Sequence, residues 1–302
     1  MTFEQRETVA SIVVPCRGHA VELGRCLATL LTQEVAAPHE IIVVDAAADD
    51  RVVKTVRDYP SVKIVRSNSV LFPGAARNFG ARHAGGGYLF FVDADCICDA
   101  GWLAAAMEAL DGGARLVGGP VLHGDPWNPV AVVDNLMQFS DVSAHRPRGP
   151  IKLLPSCNLG VRRADFEALG GFPTIPFKAG EDVLFCREAR LRWHEMPLFV
   201  PEMRVRHFGR TGLRELWLHQ ELFGRARALY GLELSNWQRY LGQFAICAPA
   251  IGLKRLSYLV RRTATSNTSS LAALIFLFPI LFYGLLAWCL GFRRGCQEIA
   301  RP

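Results

Sequence analysis

Over residues 8–93, short unbroken apolar runs alternate with segments whose leucines recur at helical spacing, and two of those runs end in aspartate. Residues 8–15 (TVASIVVP) form a β-branched run closed by proline, and Leu23, Leu27, Leu30 and Leu31 then share one helical face. Residues 40–45 (EIIVVD) read as a second strand, 49–58 as a short helix and 62–65 as a third strand. Residues 73–84 read as a helix with proline in its first turn, and 88–93 (YLFFVD) as a fourth strand. Strands without polar alternation are covered on both faces, which predicts an α/β fold with a mostly parallel sheet beneath helices. Ligands of such sheets bind beyond the carboxyl ends of the strands, where Asp45 and Asp93 stand.

Regularity falls in the second half. Residues 102–110 and 130–139 read as helices, with the apolar stretch 116–122 (LVGGPVL) between them, 152–161 as a strand, 181–193 as a helix, and 213–230 as an amphipathic helix with Arg214, Arg225 and Arg227 on its polar side. Residues 271–292 (LAALIFLFPILFYGLLAWCLGF) carry no charge and suffice to span a hydrocarbon core of ~30 Å as a helix. Residues 241–253 are apolar but short; they either lie in a membrane interface or run with 256–260 into a second, tilted span. The chain thus divides into an α/β domain over 8–231 and a membrane-associated region over 232–302.

Composition supports this division. Half of the 302 residues are hydrophobic, 21% are charged, and the mean hydropathy is +0.17. The net charge of +6 suits nucleic acid, anionic lipid or a phosphorylated substrate, yet no basic run interleaved with stacking aromatics favours nucleic acid. Nine scattered cysteines lack paired metal-finger spacing and read as small free thiols of a reducing compartment. The first nine residues lack an apolar core, so the expectation is a cytosolic catalytic domain on a cell membrane.

Asp93-Ala-Asp95 sets two carboxylates directly after an apolar strand, at the ligand edge of the sheet. Such a pair suits magnesium or manganese, which take one or two carboxylates while keeping positions for diphosphate oxygens. Turns and helix caps use the same residues, so the surrounding motifs decide the reading.

Those motifs resemble the family 2 glycosyltransferases of the GT-A fold, over roughly residues 11–231. Ser11-Ile-Val-Val-Pro15 resembles the family's opening strand, with Pro15 on the donor side, and Glu40-Ile-Ile-Val-Val-Asp45 its second strand, whose Asp45 would face the nucleotide base. Gly74-Ala-Ala-Arg77-Asn78 resembles the donor-side helix before the Asp-x-Asp strand. Ser156-Cys-Asn158 with Gly170-Gly-Phe172 resembles the acceptor-side segment. The resemblance implies Asp93 towards the ribose or metal, Asp95 on the metal, His207 as a further metal ligand, Asp182 as the base and Glu181 as the residue orienting the acceptor. It also implies a nucleotide-diphosphate sugar donor, a lipid-linked or envelope-glycan acceptor, a divalent cation and inversion at the anomeric carbon. Independently, a sugar hydroxyl is a poor nucleophile that a positioned carboxylate activates.

Two departures qualify the match. Asp45 is followed by Ala-Ala-Ala-Asp49 where relatives carry Asp-Gly-Ser, which leaves the nucleotide open. The Gln-x-x-Arg-Trp motif of processive members is replaced by Gln220-Glu-Leu-Phe-Gly-Arg225, which favours one sugar per encounter. The alternatives are a nucleotidyltransferase, for which Pro15-Cys-Arg17-Gly18 is a poor triphosphate loop, and a non-catalytic glycan- or partner-binding membrane protein. His123, His145, His194 and His219 read as surface or capping residues.

Overall fold

The structure is a computed structural model that describes residues 9–46, 49–231, 234–266 and 275–300. Its first half follows the expected alternation: β1 (Ala10–Cys16), α1 (Ala20–Leu31), β2 (His39–Asp45), α2 (Asp50–Arg57), β3 (Lys63–Arg66), α3 (Pro73–Arg82) and β4 (Tyr88–Val92). There follow β5 (Cys96–Cys98), α4 (Trp102–Asp111), β6 (Leu116–Gly118), β7 (Val121–His123), α5 (Pro129–Phe139), β8 (Gly149–Pro150), β9 (Asn158–Arg162) and α6 (Arg163–Ala168). The chain closes with α7 (Glu181–Trp193), β10 (Leu198–Phe199), β11 (Val205–His207), α8 (Leu213–Tyr230), α9 (Asn236–Gly242), α10 (Ala248–Ser266) and α11 (Phe278–Ala300).

Eight strands form the main sheet in the order β3-β2-β1-β4-β9-β6-β10-β8. The β3-β2-β1-β4 half is parallel, as its unbroken apolar runs require. The other half is mixed: β9 enters antiparallel between β4 and β6, and β8 closes the edge antiparallel to β10. The apolar stretch 116–122 forms two strands, broken at Gly119-Pro120, with β6 in the main sheet and β7 in a small sheet ordered β5-β11-β7. That small sheet sits past the end of β4 and aligns His207 with Cys96 and His123.

Residues from β1, β2 and β4, including Ile12, Val14, Ile42, Val44, Phe90 and Phe91, are fully buried between α1, α3 and α4. Burial of a side chain of this size contributes roughly 1.5–3 kcal/mol, so the central strands hold the frame on which the strand-end aspartates stand. Helix starts carry their own signals. Asn128 accepts from the Val130 and Ala131 N–H groups ahead of Pro129, and Asp49 accepts from Arg51 N–H.

A second core joins α5, α8, α10 and α11 through Val133, Met137, Leu216, Leu285, Trp288 and Phe292. Among the described residues no helix is long and apolar enough to cross a membrane, and residues 271–274 of the expected span lie outside them. Leu281, Leu285, Trp288 and Phe292 of that span are buried in protein. The reason is a glycine seam: a Cβ at Gly224 would overlap the Trp288 carbonyl and one at Gly291 the Glu221 carbonyl, so α8 and α11 touch backbone to backbone. Ion pairs from Arg225 to Glu298 and from Arg294 to Glu221 hold the same crossing. Residues 241–260, expected in an interface or a second span, form a short turn and the first two-thirds of α10, packed against α11.

Candidate active site

The strand order sends the carboxyl ends of β2 and β4 and the start of α7 to one edge. Asp93 follows β4 directly, and its carbonyl accepts from Cys96 N–H in the turn that leads into β5. Its Oδ1 binds Arg77 Nη2 of α3, while Arg77 Nη1 lies 2.9 Å from Glu181 Oε1 at the first residue of α7. The guanidinium is buried under the Phe172 ring, 5.7 Å from its centroid. Desolvation pulls its pKa down, and the charges of Asp93 and Glu181 more than offset this and leave it raised. Arg77, expected on the donor, therefore ties the Asp-x-Asp turn to the Glu-Asp helix.

Gly74 makes this possible. A Cβ there would stand 2.7 Å from the Pro173 carbonyl and 3.2 Å from Glu181 Cβ, so only glycine lets α3 approach the segment before α7. Asn78 completes the dock, donating Nδ2 to the Phe172 carbonyl at 2.7 Å and accepting from Phe172 N–H at 2.8 Å.

Ser156 donates to Glu181 Oε1 at 3.2 Å, whereas Glu181 Oε2 is buried without a hydrogen-bond partner. The neighbouring Asp182 is half-buried, its Oδ1 accepting from Val183 N–H at 2.8 Å. Desolvation, with the Glu181 charge adding to it, pushes the Asp182 carboxyl up to about 7. A carboxylate poised there loses and regains a proton near neutrality, which is what a general base needs. Asn158, by contrast, accepts from Trp102 Nε1 and donates to the Pro120 and Met203 carbonyls, which fixes the sheet rather than an acceptor.

Asp95 lies on the other side of the turn. Its Oδ2 stands 3.6 Å from His207 Nε2 and 3.8 Å from Arg210 Nη1, its Oδ1 is buried without a hydrogen-bond partner, and so is His207 Nδ1. Separations of 3.6 Å and more are too long for hydrogen bonds. Among the described residues no group of three or more His, Cys, Asp or Glu side chains is set to hold a metal, and Asp93, expected as a ligand, gives Oδ1 to Arg77. A cation that keeps most of its positions for diphosphate and water needs only one or two protein ligands, and the orphaned Asp95 oxygen beside His207 fits that demand.

Asp45 ends β2 fully buried, with Oδ1 accepting from Asp49 N–H at 3.0 Å and Oδ2 3.1 Å from Arg66 Nε. Pro15 pairs with Val44 one residue before the end of β1, and Cys16 pairs with Asp45. Two of the expected donor-side residues thus lie on neighbouring strands at the same end of the sheet, with Arg66 between Asp45 and Asp50.

Sequence reasoning missed a buried pair behind His207. His219, read as a surface or capping residue, donates Nδ1–H to Asp134 Oδ1 at 2.8 Å, and Gln220 Nε2 donates to the same oxygen at 2.9 Å. Burial raises the Asp134 carboxyl, but His219 and Gln220 outweigh it and leave it lowered; burial lowers His219 and keeps it neutral. His207 stacks edge-on against Phe139 at the end of the Asp134 helix, 5.3 Å between centroids. A His-Gln pair one residue apart on a helix signals nothing by itself, because its partner is 85 residues away. Arg210, three residues after His207, was likewise missed. The nine cysteines are all free, as expected, and burial pushes the Cys16 and Cys186 thiols up to about 12, which leaves them inert.

Comparison with known proteins places this geometry. The solved mannosyltransferase PcManGT from Pyrobaculum calidifontis, in complex with GDP-Man and Mn2+, superposes with a TM-score of 0.61 over 97% of this chain and 87% of its own at 18% identity. Residues 1–349 of TarS from S. aureus, with UDP-GlcNAc, give 0.52 over 97% and 92% at 17% identity. These likenesses show the fold, a GT-A-like α/β sheet. Chondroitin synthase of Escherichia coli is 32% identical over 114 residues, 36% of this chain and 17% of its own length. Polypeptide N-acetylgalactosaminyltransferase 15 of Mus musculus is 32% identical over 112 residues, 35% and 16% respectively. The chain thus spans about a sixth of the curated relatives it matches. The model of glycosyl transferase family 2 matches residues 11–170, from the first strand through the Asp-x-Asp turn to the loop before Phe172, and the chain belongs to that family.

Proposed function

We propose that the protein transfers a sugar, with inversion, from a nucleotide-diphosphate sugar to an acceptor hydroxyl. The observation that carries this reading is the Arg77 bridge, which sets the Asp-x-Asp turn and the Glu181-Asp182 helix start on one buried guanidinium. Asp182 takes the proton of the acceptor hydroxyl as it attacks the anomeric carbon, and Glu181, fixed by Arg77 and Ser156, orients the acceptor. No second carboxylate is needed as a covalent nucleophile, so a single displacement inverts the anomeric configuration.

Asp95 and His207 are the residues that would hold a divalent cation, with Asp93 turned towards the ribose. The ion supplies neutralisation of the charge that builds on the departing nucleotide diphosphate. Arg210 adds a positive charge beside Asp95. The complexes of the two solved relatives with GDP-Man and UDP-GlcNAc support a nucleotide-sugar donor in general and leave the nucleotide of this chain open.

For the acceptor we favour a lipid-linked or envelope glycan, elongated by one sugar per encounter, with the catalytic domain on the cytosolic side of a cell membrane. The apolar C-terminal region and the replaced Gln-x-x-Arg-Trp motif support that choice. Incubation of the purified chain with a panel of UDP-, GDP- and TDP-sugars, with manganese, magnesium or a chelator, tests the reading. Metal-stimulated release of a nucleoside diphosphate supports it; release of pyrophosphate from a nucleoside triphosphate, or no turnover of any donor, opposes it.

A further inference from the structure

One face of α11 is locked onto α8, yet its opposite face is not covered by any described residue. Along that face Phe278, Phe282 and Leu286 recur four residues apart, with Ile275 just before the helix, and all are exposed, Ile275 at 72% and Phe282 at 57%. On the adjacent α10 and the turn before it, Ile246, Leu253 and Val260 recur every seven residues, again exposed. Lys254 and Arg261, each next to one of them in sequence, are exposed as well. In the segment before α10, Trp237 stacks on Tyr240 at 5.7 Å and Tyr240 meets Phe244 at 5.4 Å, an aromatic ladder open to solvent. A soluble monomer seldom leaves so much apolar surface uncovered.

Charge singles out the occupant. Residues 235–302 contain eight Lys and Arg against one acid, Glu298, whereas the 234 residues before them contain 26 and 27. The whole positive surplus of the chain therefore lies in the segment that carries the exposed apolar rows. Arg239, Arg255 and Arg293 donate to backbone carbonyls, which pins these basic side chains to the platform. Apolar rows, flanking basic residues and Trp/Tyr at the edge match a surface that settles into the headgroup layer of an anionic bilayer.

We propose that α9, α10 and α11 form a monotopic platform that lies in the plane of an anionic lipid surface, with α11 held flat by its glycine seam on α8. Phe282, Leu286 and Leu253 enter the acyl boundary, and Lys254 and Arg261 meet lipid phosphates. This gives the membrane location proposed above a physical mode. Its test reads lipid binding alone, so failure of sugar transfer leaves it intact.

The test is flotation of the full chain with vesicles of phosphatidylcholine alone, or with about a third of the lipid replaced by phosphatidylglycerol. The expected result is flotation with the anionic vesicles only, weakened by high salt and reversed by an alkaline carbonate wash. The double change Phe282→Ser and Leu286→Ser, and separately Lys254→Glu with Arg261→Glu, should each weaken partitioning about tenfold or more, with the thermal midpoint within a few degrees. Absence of flotation, equal flotation with both vesicles, or resistance to carbonate overturns the proposal. So does a lipid-free dimer that the Phe282→Ser and Leu286→Ser variant converts to a monomer, since the face then belongs to a second copy.

Discussion

Arg77 Nη1 lies 2.9 Å from Glu181 Oε1, and the same guanidinium holds Asp93, so two acidic motifs far apart in sequence share one buried cation. Their relative position, and with it the spacing between donor and acceptor halves, is set by a residue only 2% exposed.

Replacing Arg77 with Met leaves two carboxylates without their counter-charge. Removal of one partner of a buried pair costs about 3–5 kcal/mol, and here Asp93, being partly exposed, recovers some of that by hydration. The expected outcome is a loss of about 2–4 kcal/mol by urea denaturation and of transfer by more than a hundredfold. Arg77→Lys should restore stability better than activity, because an ammonium cannot reach both carboxylates in the fixed fork that a guanidinium offers.

Asp182 carries the proton transfer. Asp182→Asn should lower kcat by about 10²–10⁴-fold while calorimetric donor affinity stays within about twofold. In the wild type, burial and Glu181 favour the protonated acid, so the base is off at low pH and comes on as pH rises. The log of kcat/KM should climb with unit slope and level off above about 7, and the Asn variant should lose that limb.

Asp95 and His207 form the cation side. Asp95→Ala should abolish the extra thermal stabilisation that manganese gives in the presence of a nucleoside diphosphate. His207→Ala should raise the manganese concentration for half-maximal transfer by about tenfold or more. Retention of manganese dependence by both variants would remove these residues from the cation.

The Asp134-His219 pair is structural support for that side. Asp134→Ala strands the His219 N–H and one Gln220 N–H in the interior, at about 1–3 kcal/mol each. Because the folded Asp134 carboxyl is held below its ordinary 3.8, its contribution is fully present at neutral pH and above. It is lost only as pH falls below that value towards the folded pKa. Acid unfolding followed by circular dichroism should therefore start at higher pH in the Gln220→Leu variant, which loses one of the bonds that lower Asp134.

Much of the fold was legible because fully buried parallel strands write continuous apolar runs, and β1, β2 and β4 do so within a residue or two of their ends. The two- and three-residue strands β5, β8 and β10 were not, since so short a run has no period to read. The antiparallel entry of β9 was hidden for another reason: strand direction follows from where the chain has been led, not from local pattern. At the site, Asp93, Asp95, Glu181 and Asp182 were visible as strand-end and helix-start acids. The bridging role of Arg77 and the burial of His219 depend on partners far away in sequence. In the uncharged run over 271–292 the packing against α8 was not legible, because its glycines, read singly, do not reveal the backbone contact they permit.

Single-displacement transfer with Asp182 as base is the central claim. Proton NMR of the anomeric signal during turnover, with whichever α-linked donor of the panel is consumed, tests it most directly. The predicted result is a product whose first-formed anomer is β with the wild type and no product with Asp182→Asn. A first-formed α product, or undiminished turnover by the variant, would contradict it.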